Sequence, residues 1–331
     1  MIITRSPLRI SLGGGGTDLP SYYKKYSGFL ISATINKFVY IGLHKTFEPG
    51  LYLKYSNYER VKKTENIRHP IIKECIRNFN NKLFNNLEIV SLADIPARTG
   101  LGSSGSFTTA LLLALYTHKK KKISKRQLAE LACSIEIDKL KEPVGKQDQY
   151  ISTFGGIKKM KIDKNGYVNI KNLNISKKKI NILEKKLSLF FTGYLRKSSK
   201  ILSNQKKKTL KKEKKIIENL HYIKNLGLQS AIALEKSNFN DFGYIMDEHW
   251  KKKMERDNLM SNSKINKIYQ LAIEKGEALG GKLIGAGGGG FLMFYTNNKF
   301  KLIKILSKYG FKNINFAFEF SGCQVLSQDV I

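Results

Sequence analysis

Residues 96–115 read PARTGLGSSGSFTTALLLAL. A proline opens a loop of glycines and serines, and the loop runs straight into an apolar stretch rich in alanine and leucine. From Ser104 to Tyr116 that stretch is apolar on nearly every side, which predicts a deeply buried helix. Gly100, Gly102 and Gly105 permit backbone conformations and close approaches that a side chain would block. Ser103, Ser104 and Ser106 fall where the first helical turn begins. There the free N–H groups and the positive end of the helix dipole face back into the loop. Pro96, Gly100, Leu101, Gly102, Ser103, Ser104, Gly105 and Ser106 are therefore the expected cradle of a polyphosphate. The pattern is not GxxxxGK[ST], because no lysine follows the glycines, and it is not the GxGxxG that opens a dinucleotide-binding unit. A structural turn ahead of a packed helix is the competing explanation for this loop taken alone.

Two more glycine loops flank it in the chain. The first is SLGGGGTD, residues 11–18. Four consecutive glycines after a strand carry a large unfolded-state entropy, and they make sense where the backbone must pass close to a ligand. Gly15, Gly16 and Thr17 are expected at that ligand. Asp18 could hydrogen-bond sugar hydroxyls or cap the short helix that follows. The last loop is GAGGGG, residues 285–290, ahead of the strand FLMFY. Here Gly287 and Gly288 could abut the ligand or the other two loops. Between the loops lie two carboxylates. Glu136 sits late in a helix expected over Ser124–Lys139, opened by Ser124 and Gln127 as a capping box. Asp148 sits in a glycine-led loop, GKQDQYISTFGG. The pair could flank one site, with Glu136 toward Mg2+ and Asp148 toward a substrate hydroxyl. Magnesium prefers oxygen ligands and keeps waters, so one carboxylate, one serine and phosphate oxygens would suffice. A solvated helix face is the alternative for Glu136.

The chain has 331 residues, 41% of them hydrophobic, enough for two domains with a substantial core. The opening MIITRSPLRISLGGGG has no apolar run of signal-peptide length, and no stretch of about 18 uncharged apolar residues occurs, so a cytoplasmic protein without a membrane span is expected. Cys75, Cys133 and Cys323 are scattered singly, which suggests neither a disulfide framework nor a zinc cluster. The net charge is +33, from 59 basic and 26 acidic residues. Most of the excess is lysine, set among asparagine and isoleucine in runs such as NISKKKINILEKKLS. Lysine without interleaved arginine and aromatics reads bases poorly, so a solvated surface is expected rather than a nucleic-acid partner. An anionic small-molecule substrate would gain from the field.

Period and punctuation place strands at 2–12, 28–44 (one or two), 51–58, 87–92, 187–192 and 315–320. Helices are expected at 69–79, 124–139, 198–219, 220–235, 240–256, 264–277 and 299–309. The mixture predicts an α+β chain with antiparallel pairing rather than a doubly wound parallel sheet, divided between residues 160 and 195.

In this order the three loops resemble those of the GHMP kinase superfamily, whose members include galactokinase, homoserine kinase and mevalonate kinase. PARTGLGSSGS resembles the family's phosphate loop, PLRISLGGGGTDLPSYY its first motif on the acceptor side, and GKLIGAGGGGFLMFY the third motif that buttresses the site. The resemblance implies ATP and Mg2+ as cofactors and a two-domain α+β fold. Residues 1–180 would form a domain like the second domain of ribosomal protein S5, and residues 181–331 a ferredoxin-like domain. It also implies Ser104 and Glu136 as magnesium ligands, and Asp148 as the carboxylate that takes the proton from the attacking hydroxyl or orients it. Asp18 would contact the sugar. Arg9 would lie near the transferred phosphoryl group, where a guanidinium stabilises developing charge. GGGGTD replaces the glutamate–histidine pair of galactokinase, which argues against that activity. A narrower resemblance, carried by GGGGTDLPSYY, EPVGKQDQYISTFGG, FFTGYLRKSSKIL, HWKKK and GGKLIGAGGGGFLMF, is to bacterial D-glycero-α-D-manno-heptose 7-phosphate kinases. L-fucose kinase domains share much of it. It implies phosphorylation of the anomeric hydroxyl of a sugar phosphate, on a route to GDP-heptose and surface polysaccharide. A phosphorylated acceptor needs a second phosphate clamp. Arg196 suits bidentate phosphate binding, unless it is simply a surface residue after a strand. Lys146 and Lys282 are further candidates with solvated or structural alternatives. His249, beside Trp250, is assigned to packing or to the sugar side without preference.

Overall fold

Two long strands, β1 (Ile2–Gly13) and β2 (Gly28–Lys45), pair antiparallel along nearly their whole length. They lie at the centre of a computed structural model that describes residues 1–79, 86–193 and 199–328. Pro7 has no N–H to give the ladder, and the register shifts there, Pro7 standing opposite Phe38 but Leu8 opposite Ile35. The extra residues of β2 bulge outward, and Asn36 exchanges hydrogen bonds with Ala317 instead. The bulge divides β2 between two partners on its other side. Val39–Lys45 pairs with β5 (Asn86–Ala93), while Gly28–Ala33 pairs with β6 (Ile157–Ile162). β3 (Gly50–Lys54) runs parallel to β5 and carries β4 (Tyr58–Val61). β7 (Val168–Asn172) extends β6, and β12 (Gln324–Gln328) returns from the far end of the chain to the free edge of β1.

The second sheet is antiparallel, in the order β11 (Lys312–Ile314), β8 (Leu187–Phe191), β10 (Phe291–Thr296), β9 (Ala278–Leu283). The chain is thus α+β, with a single parallel strand pair among the described residues. Helices α1 (Pro20–Tyr26), α2 (Pro70–Arg77), α3 (Ser103–His118), α4 (Lys125–Cys133) and α5 (Gln147–Phe154) belong to the first half. α6 (Lys177–Lys186), α7 (Ser199–Leu210), α8 (Lys214–Glu235), α9 (Phe239–Met254), α10 (Ser263–Glu274) and α11 (Lys299–Lys308) complete the set. As its composition requires, α3 is buried along most of its length and lies on β1 and β2. The Ser124–Gln127 capping box forms at the start of α4. No described helix is long and apolar enough to cross a membrane.

Several expected elements are corrected. Residues 51–58 are not one strand: β3 ends at Lys54, and residues 55–57 turn into β4, with the N–H of Tyr55 donating to the carbonyl of Asn57. The long charged helices break at 211–213, not at 219, because Lys212 takes a left-handed conformation (φ 58°) that ends α7. Residues 315–320 contribute one isolated bridge, Ile35 to Phe318, and the closing strand comes later. β9 precedes the third glycine loop and is a strand that periodicity does not predict. Asp148 is not in a loop but in the first turn of α5.

Candidate active site

The start of α5 gathers two carboxylates. Asp148 occupies the first turn, where the free N–H groups favour negative charge. Asp18, buried at the end of the first glycine loop, accepts the N–H of Gln147 at 3.1 Å. It also accepts the N–H of Gly16 at 3.2 Å, so it caps α5 and not α1, whose N-terminal position is Leu19. Burial, with the nearby Asp148 charge second, raises the Asp18 pKa above the usual carboxylate range. Arg9, from the middle of β1, grips both oxygens of Asp148, Nε to Oδ1 at 2.7 Å and Nη2 to Oδ2 at 2.9 Å. Its Nη1 donates to the carbonyl of Gly100 at 2.5 Å. All three guanidinium nitrogens are therefore engaged, and Arg9 ties the base candidate rigidly to the glycine-serine loop.

That loop is held from both sides. The Leu101 side chain is buried, and its carbonyl accepts the N–H of Arg9. Pro96 is exposed, its carbonyl taking the Thr99 hydroxyl. Gly102 is the residue before α3. Ser106 is buried and donates to the carbonyls of Pro7 and Gly102, so its hydroxyl locks the loop and is not free for a ligand. Ser104 is exposed and Ser103 half-exposed at the open end of α3. Gly105 packs the helix against Asp148. Gly100 meets Gly285 of the third loop backbone to backbone; a Cβ on Gly285 would stand 2.6 Å from the Gly100 carbonyl oxygen. The third loop thus buttresses the first-turn cradle. Gly287 and Gly288 lie against Met260, and Gly288 donates to its carbonyl. Gly285 and Ala286 face the cleft in their place.

Glu136 is 1% exposed, so the solvated-face alternative is excluded. The expected helix widens into a π-helical turn at Ser134–Lys139, which rotates Glu136 inward. Burial pushes its pKa up to about 7, against hydrogen bonds from Gln149, Ser104 and Thr108. A buried carboxylate touching an exposed serine hydroxyl at the start of α3 fits a hard divalent cation that keeps most of its waters. Among the described residues no cluster of three or more His, Cys, Asp or Glu could hold a metal by itself, so such an ion would rely on phosphate oxygens.

The remaining wall of the cleft comes from the second half of the chain. Gly15 and Gly16, half-buried, line it beside Asp18. Thr17 is buried and shapes this loop by donating to the carbonyls of Gly14 and Phe29. Gln205 of α7 donates to the Gly16 carbonyl and Arg256 to that of Gly15. His249, Lys253, Arg256 and Lys282 complete the wall.

Known proteins decide the family. The model for the GHMP kinases N terminal domain matches residues 70–156, and that for the GHMP kinases C terminal matches residues 230–314. A D-glycero-alpha-D-manno-heptose 7-phosphate kinase of Campylobacter jejuni is 31% identical over 320 residues, spanning 93% of each chain. This chain belongs to the GHMP kinase family. A crystal structure of a sugar kinase from Campylobacter jejuni superposes with a TM-score of 0.78 at 28% identity, covering 98% of this kinase and 97% of that chain. One described as a D-glycero-D-manno-heptose 1-phosphate kinase from Bacteroides thetaiotaomicron superposes at 0.80 over all of both chains, with 24% identity. The second likeness shows the fold.

The kinase thus brings together Arg9, Asp18, Asp148, Glu136 and the loop around Ser104. Arg196 lies outside the described residues. Lys146 is absorbed by Glu130 and the carbonyl of Gly166, which is the structural alternative. The sequence underrated Lys282 and gave no role to Lys253 or Arg256. One signal was present: His249, Lys253 and Arg256 are four and three residues apart, the spacing of one helical face.

Proposed function

We propose that this ATP-dependent kinase phosphorylates the anomeric hydroxyl of D-glycero-α-D-manno-heptose 7-phosphate, giving the 1,7-bisphosphate and ADP for GDP-heptose synthesis. The carrying observation is the Arg9-held Asp148 beside the α3 cradle, in a cleft lined by four cationic side chains (Arg9, Lys253, Arg256, Lys282) and two carboxylates (Asp18, Asp148). Such a balance suits an acceptor that is itself anionic. The Campylobacter relative is named for this substrate.

In the proposed reaction the sugar hydroxyl oxygen bonds to the γ-phosphorus as the bond from that phosphorus to the bridging oxygen of ADP breaks. The hydroxyl proton passes to Asp148. Arg9 positions that carboxylate, and the N–H groups at the start of α3 face the transferred group. Asp18 would accept a sugar hydroxyl. Ser104 and Glu136 would hold Mg2+, which supplies charge neutralisation on the triphosphate. Drawing the domain division at residue 180 is part of this proposal; β12 would then complete the first domain from the end of the second.

The test is steady-state ADP release with ATP and Mg2+, comparing heptose 7-phosphate with free heptose, L-fucose and D-galactose, with the new phosphate located by phosphorus NMR. Selective turnover of heptose 7-phosphate with an anomeric product supports the proposal. Preference for an unphosphorylated sugar overturns it.

A further inference from the structure

The cationic wall holds polar groups that the protein leaves unsatisfied. Lys282, on β9, is 2% exposed and its Nζ has no hydrogen-bond partner among the described residues. His249, on α9, is 3% exposed and Arg256, just beyond α9, is 6% exposed; among the described residues neither ring nitrogen of His249 is paired, nor is Nε of Arg256. All three line the cleft that also holds Asp148. A buried amine and imidazole without partners, and a guanidinium with one N–H unmet, cost free energy unless something supplies acceptors. Among the described residues no carboxylate hydrogen-bonds any of them. Lys253 differs, because its ammonium is spent on the carbonyls of Leu283 and Gly285 and so fixes the third glycine loop.

We propose that Lys282, Arg256 and His249 form the subsite for the phosphate that the acceptor brings with it. The inference rests on the acceptor being a sugar phosphate and adds where its phosphate is bound. A tetrahedral dianion has enough oxygens to accept from all three groups at once, and Arg256 supplies the forked geometry. Burial, then the neighbouring Arg256 and Arg9 charges, lowers the Lys282 pKa to about 7. The Gly15 and Gln205 contacts of Arg256 link the subsite to the first glycine loop, so filling it would also order the loop beside Asp18. Arg196 is not needed for this clamp.

The donor's phosphoryl group has the same chemistry, and the test separates the two. Lys282→Met and Arg256→Lys would be compared with the wild-type kinase by calorimetry against heptose 7-phosphate, free heptose, inorganic phosphate and, separately, ATP with Mg2+. Lys282→Met removes a buried unpaired charge at similar volume, so folding should survive; Arg256→Lys keeps the charge and loses the fork. The wild type should bind heptose 7-phosphate at least about 30-fold more tightly than free heptose. Both variants should cut that ratio about tenfold and weaken inorganic phosphate, with ATP affinity held within about threefold. Variants that keep the ratio overturn the subsite while leaving the substrate assignment standing. Variants that weaken ATP instead assign the cluster to the donor and also overturn it. A wild type indifferent to the sugar phosphate, whose variants still lose inorganic phosphate, retains the subsite and overturns the substrate. If the wild type binds neither, both fall.

Discussion

Gly105→Ala separates the position of Asp148 from the stability of the fold. Gly105 lies in the first turn of α3 where that helix crosses α5. A Cβ there would stand 2.8 Å from Cβ of Asp148 and 3.0 Å from the N of Gln149. The first distance is about 0.6 Å inside the ordinary contact limit of 3.4 Å, and the backbone at Gln149 cannot rotate away. The start of α5 must therefore move by about half an ångström or more. Alanine gains about 1 kcal/mol over glycine within a helix, while overpacking costs about 1–3 kcal/mol. The net change is about 0–2 kcal/mol, and melting should fall by a few degrees at most. Activity is more sensitive, because a misplacement of about 1 Å can cost about a hundredfold. A shift of this size predicts a kcat about ten- to a hundredfold lower. The assay is coupled ADP release on enzyme whose folded fraction is measured by thermal melting and circular dichroism. Full kcat at an unchanged or raised melting temperature would refute the claim that α3–α5 spacing sets the base. So would a loss of activity no larger than the loss of folded protein.

Asp148→Asn should lower kcat about 10²–10⁴-fold, as for other general bases, while ATP binding followed by calorimetry persists; near-normal turnover would exclude Asp148 as the base. Ser104→Ala and Glu136→Gln should each raise the Mg2+ concentration for half-maximal rate, read by titration at saturating ATP, and an unchanged midpoint in both would remove them as ligands. For Lys282 the sign follows from its pKa, lowered by burial to about 7. The unfolded lysine keeps its proton to about 10.4, so between these values the unfolded chain binds more protons and folding gains stability as pH rises. Lys282→Met should therefore exceed the wild type in melting temperature most at or below pH 7, with the gap closing toward pH 10. Arg256 and Arg9 lie near this group, His249, Lys253, Asp18 and Asp148 line the same cleft, and a gap independent of pH would show that Lys282 is not depressed. Heptose 7-phosphate binding should also take up a proton at pH 8, visible as a buffer-dependent calorimetric enthalpy.

What the sequence disclosed and what it hid have different physical sources. α3 was legible because a helix apolar all round can only be buried, and the α4 capping box because both partners lie within four residues. α5 was not, because its cap is the carboxylate of Asp18, 129 residues earlier in the chain. Local propensity carries no trace of such a cap, and the glycine before the helix pointed to a loop. The residues alone left Glu136 between a place at the site and a solvated helix face. Its burial depends on a π-helical turn that shifts the helical phase, so a 3.6-residue wheel places it wrongly. The cationic wall failed to stand out for another reason. With 59 lysines and arginines in the chain, charge at Arg256 and Lys282 looks like more of the same surface. What distinguishes these groups is that α9 and β9 draw them inside, where water no longer satisfies them. In so basic a chain, the informative quantity is the unpaired buried charge, and here it collects in the cleft that also holds Asp148.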